Sequence, residues 1–461
     1  MSKKKILLLS DDLRMTSGIG TMSKEFVLGT IDKFDWAQIG GAIKHPEEGK
    51  VVNMDESVQQ ETGVKDAKLT IYPVNGYGNA DLLRSVMSIE KPDAIMHYTD
   101  PRFWGWLYQM EHELRQNIPL MYYTIWDDLP YPRWNEPFYE SCDLLMCISK
   151  QTYGIVNNVV RKFPKKPHQI TYVPHGIDEN KYFPVDSFHK EYDEFKKYKK
   201  SLVGDSDFVV YWTNRNIRRK SPGDLILAYK LFCDSLPTEK SKKCCLLMHT
   251  AGVDQNGTDL PAVINEICPE YKVVIDEAKV DDRHMNFLYN IGDVTVNIAS
   301  NEGFGLSGAE SLMSGTPIVN NVTGGLQDHC GFKLKGKTIT EDDYIEIGSL
   351  HDDRKWAKNP DLTWGNWVQP IWPSNRSMVG SPPTPYIFDD RCRFDDVAEA
   401  IKYWYDIPEE ERVERGAQGR EFVLDPETGM SCKNMSNRFI QDMDSCFEKF
   451  EKRKRFTLFE V

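Results

Sequence analysis

The chain has 461 residues, 40% of them hydrophobic and 28% charged, which is too long for one ordinary core and too apolar for a largely disordered chain. Its formal net charge of −13 argues against a surface dominated by positive potential, although basic runs at 161–166, 196–200 and 452–455 allow a confined polyanion contact. No apolar run reaches the roughly 18 residues of a membrane span, and ten cysteines without a C-x-x-C spacing predict reduced thiols and a cytoplasmic setting.

Three lysines and the apolar run 6–9 lead directly into Asp11-Asp12, where a secretion signal would carry a small-residue cleavage site. The segment 5–10 therefore reads as a buried strand. Ser17-Gly18-Ile19-Gly20-Thr21 opens a helical pattern carrying Met22, Phe26 and Val27. Such a strand, glycine loop and helix let a ligand approach unpaired N–H groups, although the full G-x-G-x-x-G fingerprint is missing. Strand patterns recur at 36–39, 68–72, 94–97, 120–125, 144–148 and 171–173, with helical patterns at 80–90 and 103–116. This alternation predicts a parallel sheet covered on both faces. The polar, lysine-rich stretch 187–201 marks the expected domain boundary.

A second alternating set follows, with strands at 208–213, 245–249, 272–275, 294–298 and 317–320 and helices at 224–233 and 283–290. Between its last two strands, 302–314 reads as loop plus helix. The fold class is thus α/β, with two Rossmann-like domains, 1–186 and 202–433, facing across a cleft and binding ligand at the carboxyl ends of their strands. The stretch 331–390 carries Trp356, Trp364, Trp367 and Trp372, several prolines and no clean period; it predicts an ordered excursion from the second domain. Helices at 395–405 and 434–452 finish the chain, and the segment 434–461 is expected to pack back on the first domain.

Two carboxylates eight positions apart, Glu302 and Glu310, bracket Gly303, Phe304, Gly305, Leu306 and Gly308 directly after a strand. The glycines free the backbone to turn, and the N–H groups opening the next helix would meet an anion such as a diphosphate. The pattern E-G-F-G-L-x-x-x-E, followed by Gly315-Thr316-Pro317-Ile318-Val319, resembles retaining glycosyltransferases of the two-Rossmann-domain GT-B type, in the large family of sucrose-synthase and mannosyltransferase relatives. Segments 214–220, 289–294 and 173–178 fit the same family, with His175 where an asparagine is usual.

The resemblance implies transfer of a sugar from a nucleoside-diphosphate sugar, UDP-sugar foremost, to an acceptor hydroxyl with retention and with no cofactor or metal required. It implies that Arg215 and Lys220 neutralise the donor diphosphate, that Glu310 binds the ribose and that Glu302 contacts the transferred sugar. Gly303, Phe304, Gly305 and Leu306 would line the phosphate side, and Gly18 and Gly20 would close over the diphosphate. On this basis Lys220→Ala and Glu310→Ala should each cost donor use far more than stability. Many family members carry a sugar-contacting histidine after the strand corresponding to 122–125, where this chain reads Trp126-Asp127-Asp128. Asp127 becomes the candidate for that catalytic place, with Trp126, His97 and Asp100 as acceptor-side candidates.

The chain is also similar to glycosyltransferases encoded by large tailed bacteriophages, on segments 9–12, 16–21, 98–106 and 125–128. That similarity implies duplex DNA as the acceptor, at hydroxymethylated cytosine flipped toward the site, in the host cytoplasm. Phe103, Trp104, Trp106 and the basic runs would serve it, whereas the acidic total weighs against tight electrostatic binding. A transferase acting on a small-molecule, glycan or protein acceptor stays open, as does a nucleotide-sugar-binding protein without transfer. A dehydrogenase ranks last, for want of G-x-G-x-x-G and its acidic ribose partner. The oligomeric state is not fixed by the sequence.

Overall fold

The computed structural model describes residues 3–42, 44–160 and 168–454, so the basic run 161–166 and Arg455 lie outside the described residues. The chain forms two compact units: Met1–Trp126 with Tyr131–Gly176 and Cys432–Val461, and Asp127–Pro130 with Ile177–Ser431.

In the first unit, strands β1 (Lys4–Asp11), β2 (Phe34–Ala42), β3 (Val52–Asn53), β4 (Leu69–Asn75), β5 (Ala94–Tyr98), β6 (Leu120–Thr124), β7 (Leu144–Cys147) and β8 (Ile170–Tyr172) build one sheet in the order β3-β4-β2-β1-β5-β6-β7-β8. All neighbours are parallel except β3 with β4. Ile6, Leu7, Leu8 and Leu9 on central β1 are wholly buried, the continuous apolar run demanded of a strand covered on both faces. The helix Gly18–Thr30 follows, capped where the Ser17 hydroxyl accepts the Gly20 N–H at 3.0 Å. The C-terminal helix Cys432–Lys449 returns to this unit and buries Met435, Phe439 and Met443 at four-residue spacing. Phe439 stacks on Phe26 at 4.8 Å and meets Tyr123 edge-on at 4.9 Å.

The single helix expected at 103–116 is three short pieces, Pro101–Trp104, Gly105–Gln109 and Glu111–Leu114. Pro101 opens a tight 3₁₀ turn capped by Asp100, and its pitch must change before an α-helix can follow.

In the second unit, β9 (Phe208–Thr213), β10 (Cys244–His249), β11 (Val273–Asp276), β12 (Val294–Asn297) and β13 (Ile318–Asn321) belong to the main sheet. The stretch after β13 supplies β14 (Lys333–Leu334), β15 (Lys337–Thr338) and β16 (Leu362–Thr363), a small antiparallel sheet, and then β17 (Val368–Ile371). β17 completes the parallel order β11-β10-β9-β12-β13-β17. An antiparallel hairpin, β18 (Asn375–Ser381) and β19 (Thr384–Arg391), ends the excursion. On β9, Phe208, Val210 and Trp212 enter one buried cluster while Val209 and Tyr211 enter another, so both faces of this sheet are covered.

The lysine-rich stretch 187–201 is not a linker. Most of it forms the helix Tyr192–Val203, which buries Phe195 and Val203 and leaves its lysines outward. Phe195 meets Phe287 edge-on at 5.6 Å, and the units divide instead between Gly176 and Ile177. The tryptophan-rich excursion lacks a clean period because its indoles pack around irregular backbone. Trp367 Nε1 donates to the His329 carbonyl at 2.9 Å and Trp372 Nε1 to the Leu350 carbonyl at 2.7 Å.

Candidate functional site

In the second unit, the loops at the carboxyl ends of β9, β12 and β13 converge on Glu302. After β9 the backbone makes a 3₁₀ turn, Arg218–Lys220, followed by Ser221 in the left-handed region at φ 51°. The turn is tied to the β12 loop by the Ser300 N–H, which donates to the Arg219 carbonyl at 2.7 Å. Lys220 is thereby turned inward, 9% exposed, and its ammonium pairs with Glu302, itself 5% exposed. The Arg219 guanidinium donates to the other Glu302 oxygen at 3.1 Å and to the Asn301 carbonyl at 2.6 Å.

Burial alone would raise the Glu302 carboxyl, but Lys220 and Arg219 overcome it and hold it down at about 2. Burial pulls the Lys220 ammonium down, Glu302 opposes this, and Arg219 adds to it. Asn297 Nδ2 lies 3.2 Å from Ser307 Oγ and 3.5 Å from Glu302 Oε1, bridging β12 to the next helix.

The Glu302 loop is shaped by glycine on both sides. Gly305 caps the helix Leu306–Met313 at φ 85°, a conformation that costs other residues a steric penalty. A Cβ on Gly324, itself at φ 48°, would sit 2.1 Å from the Glu302 carbonyl oxygen. The neighbouring Gly325 N–H donates to that oxygen at 2.8 Å. Phe304 is 3% exposed and meets the wholly buried His329 ring at 4.9 Å. Gly303 and Leu306 are half-buried. The first N–H groups of an α-helix lack intrahelical acceptors, so this turn is chemically suited to an anion.

Glu310 lies in the second turn of the helix, half-buried. The Tyr289 hydroxyl donates to it at 2.5 Å, and Tyr182 forms a second hydrogen bond with it. Burial pushes the carboxyl upward, and these two phenols act against it.

Asp127 belongs to this unit and shares the electrostatic environment of Glu302. Burial pushes its carboxyl up to about 6; Arg219 opposes the shift and Glu302 adds to it. Asp128 is pushed well above the carboxylate range, by burial first and by Asp127 second. The Asn301 side-chain amide donates both to Asp128 and to the Phe388 carbonyl of β19, the latter at 2.7 Å. The Phe388 N–H donates to the Leu129 carbonyl at 2.7 Å. The hairpin of the excursion thus fastens the segment Asp127–Pro130 beside the Glu302 loop.

Of the expected donor residues, Lys220, Glu302, Gly303, Phe304, Gly305, Leu306 and Glu310 come together here. Arg215 does not join Lys220: its side chain is 66% exposed and pairs with Asp254 at 3.0 Å. Arg219, Asp128, Asn297 and Asn301 were not singled out by the sequence. The signal for three of them was adjacency, Arg219 beside Lys220, Asp128 beside Asp127 and Asn301 beside Glu302; Asn297 had none.

Gly18 and Gly20 open the helix of the first unit, where a Cβ on Gly20 would lie 2.5 Å from the Met15 carbonyl oxygen. The acceptor-side reading of His97 is corrected by its burial. The side chain is wholly enclosed, with Nδ1 2.7 Å from the Tyr108 hydroxyl and the ring stacked on Tyr122 at 4.9 Å. Burial drives its imidazole down to about 3. Asp100 caps the 3₁₀ turn, accepting from the Arg102 N–H at 3.0 Å, and pairs with the Arg102 guanidinium. That guanidinium lies 5.6 Å over the half-buried Trp126 ring. Phe103 is 56% exposed and stacks on Tyr77 at 5.1 Å, whereas Trp104 is wholly buried and belongs to the core. Among the described residues, no group of three or more His, Cys, Asp or Glu side chains is placed to hold a metal ion, and no helix is long and apolar enough to cross a membrane.

No protein-family model matches the chain. A curated relative, the mannosylfructose-phosphate synthase of Agrobacterium fabrum, is 24% identical over 194 residues, covering 41% of this chain and 39% of that protein. The chain therefore matches about two fifths of that relative's length. Solved structures align over almost the whole chain. Sucrose-phosphate synthase from Thermosynechococcus elongatus has a TM-score of 0.66 at 12% identity, covering 97% of this chain and 100% of that one. HepE of Anabaena, solved with UDP and glucose, has a TM-score of 0.63 at 12% identity, covering 96% and 100%. Trehalose-6-phosphate synthase OtsA has a TM-score of 0.61 at 13% identity, covering 98% and 100%. At such identities the likeness is one of fold, and the fold is α/β with two Rossmann-like domains of the GT-B type.

Proposed function

We propose that the chain is a glycosyltransferase that moves a sugar from a nucleoside-diphosphate sugar, UDP-sugar foremost, to an acceptor hydroxyl with retention. One observation carries this reading: a buried Lys220–Glu302 pair and a tyrosine-held Glu310 flank a glycine-shaped helix start at the carboxyl edge of a parallel sheet. HepE was solved with UDP-glucose and the E. coli trehalose-6-phosphate protein with UDP-2-fluoro glucose, which supports a UDP-sugar on the same fold.

The chemistry follows from charge. As the glycosidic bond breaks, negative charge grows on the departing diphosphate. Cations fixed at Lys220 and Arg219, with helix N–H dipoles, stabilise that charge more than they stabilise the intact donor. Glu302, kept ionised, can hold sugar hydroxyls or an oxocarbenium-like centre. The Asp127 carboxyl, raised to about 6 by burial, can exchange a proton with an acceptor hydroxyl.

For the acceptor we propose hydroxymethylated cytosine in duplex DNA, on the phage resemblance and on the exposed Phe103 face stacked on Tyr77, a surface suited to an unstacked base. The test is incubation with a panel of nucleotide sugars, with and without hydroxymethylated DNA, followed by mass spectrometry of both substrates. Transfer to DNA supports the whole reading. Donor hydrolysis or transfer to another acceptor keeps the transferase and removes DNA. Donor binding without turnover of any kind favours a nucleotide-sugar-binding protein.

A further inference from the structure

A carboxylate that recognises a diol must present its free lone pairs in one direction. A carboxylate offers about four acceptor sites, and a half-buried glutamate left alone would turn among rotamers. Glu310 is not left alone. The Tyr289 hydroxyl, on the helix Asp282–Ile291, donates to Oε2 at 2.5 Å. Tyr182, from the segment that enters this unit, hydrogen-bonds to the same carboxylate. Both phenols are themselves fixed. Tyr289 is wholly buried, edge-on to Tyr182 at 5.7 Å and to Tyr211 at 5.2 Å. The Tyr182 carbonyl is held by Arg420 at 2.9 Å. An anion can only accept from these hydroxyls, so each occupies a lone pair and the rest stay available to a ligand.

We propose that Tyr289 and Tyr182 are positioning residues that aim Glu310 at a vicinal ribose diol, so that the site selects ribonucleotides over their dideoxy counterparts. The proposal rests on the donor reading above and adds the two phenols that make its carboxylate directional. Glu310 accepts from the 2′- and 3′-hydroxyls; a sugar without them leaves the lone pairs buried and unmet, which is how a polar site rejects an analogue.

The test is calorimetric titration of the full chain with UDP and with 2′,3′-dideoxy-UDP. The wild-type chain should prefer UDP by about ten- to a hundredfold. Tyr289→Phe keeps the ring and removes the donor, so UDP affinity should fall about tenfold with dideoxy-UDP affinity unchanged. Tyr182→Phe should move the ratio in the same direction, and Glu310→Gln should abolish most of the preference. Thermal melts identify any variant that has lost its fold, in which case the Tyr182→Phe ratio decides. If both tyrosine variants keep the wild-type ratio, or weaken the two nucleotides equally, the proposal is overturned and the phenols are packing residues only. If the wild-type chain binds no UDP, the donor reading fails and the proposal with it. Preference lost in Glu310→Gln but kept in both tyrosine variants overturns the proposal alone.

Discussion

The Lys220 ammonium and the Glu302 carboxylate form an ion pair withdrawn from solvent, the two side chains 10% and 7% exposed. Two charges in that position have given up their hydration, and removing Lys220 leaves the buried Glu302 carboxylate with Arg219 as its remaining cation. Lys220→Ala therefore affects the fold as well as donor use, contrary to the expectation from the motif alone. The single variant should lose about 3–5 kcal/mol of stability and at least about a hundredfold in kcat. The double variant Lys220→Met/Glu302→Gln should recover much of the stability and none of the turnover. Urea denaturation beside single-turnover transfer separates the two effects. An additive double variant would show that the pair is not energetically coupled.

The parts legible in the sequence were those whose physics is local. β9 was readable at 208–213 because a run of buried apolar residues ends in polar ones. The Glu302 loop was readable because its glycines mark a turn into a helix. The choice between Arg215 and Arg219 was not, because it depends on a 3₁₀ turn that brings two successive residues, Arg219 and Lys220, onto Glu302. The helix Glu409–Leu424 left little trace because it packs through Gly416 and Gly419 rather than a hydrophobic stripe. A Cβ on Gly416 would lie 1.9 Å from the Gly315 carbonyl oxygen. Asn301 and Asp128, far apart in sequence, meet through a contact that no local pattern encodes, and the hairpin near 388 adds a second partner to Asn301.

Asp127→Asn should trade activity for stability in a pH-dependent way. The Asp127 carboxyl is raised from an ordinary 3.8 to about 6. A carboxyl raised by folding favours the folded state while protonated. That contribution is complete below the unfolded value and is lost as pH rises through the folded one. Asparagine removes the penalty, so Tm of the variant should exceed wild type at pH 7, with the gain shrinking between about pH 6 and 4. Transfer should fall at every pH. Glu302 has the opposite sign: its depressed carboxyl stabilises above an ordinary 4.5 and loses that contribution as pH falls toward about 2. A Tm gain in Asp127→Asn that is independent of pH would show that Asp127 carries no folding-linked shift.

Gly308→Ala tests the packing beneath the glycine loop. A Cβ there would lie 2.8 Å from Nδ1 of His329, whose ring is wholly buried. Alanine at an ordinary helix position gains about 1 kcal/mol over glycine; here it should instead cost about 1–3 kcal/mol through overpacking. His329→Ala alone leaves a cavity and also destabilises. The alanine methyl should partly fill that cavity, so the double variant should be more stable than the sum of the singles predicts, by at least about 0.5 kcal/mol. Chemical denaturation of the four proteins closes the cycle.

Arg215 and Phe439 separate a ligand-facing group from a core one. Phe439 is wholly buried and stacked on Phe26 at 4.8 Å, so Phe439→Ala should cost about 3–5 kcal/mol and lower Tm without altering donor KM in the fraction that stays folded. Arg215 is 66% exposed and paired with Asp254, so Arg215→Ala should change stability by no more than about 0.5 kcal/mol. If its guanidinium turns from Asp254 to the diphosphate when donor arrives, the same variant should raise donor KM and lower kcat/KM by about ten- to a hundredfold. Added salt should narrow that difference, because an exposed cation acts through a screened field. Wild-type kinetics in Arg215→Ala would leave Arg219 and Lys220 as the cations of the site and confine Arg215 to its surface pair.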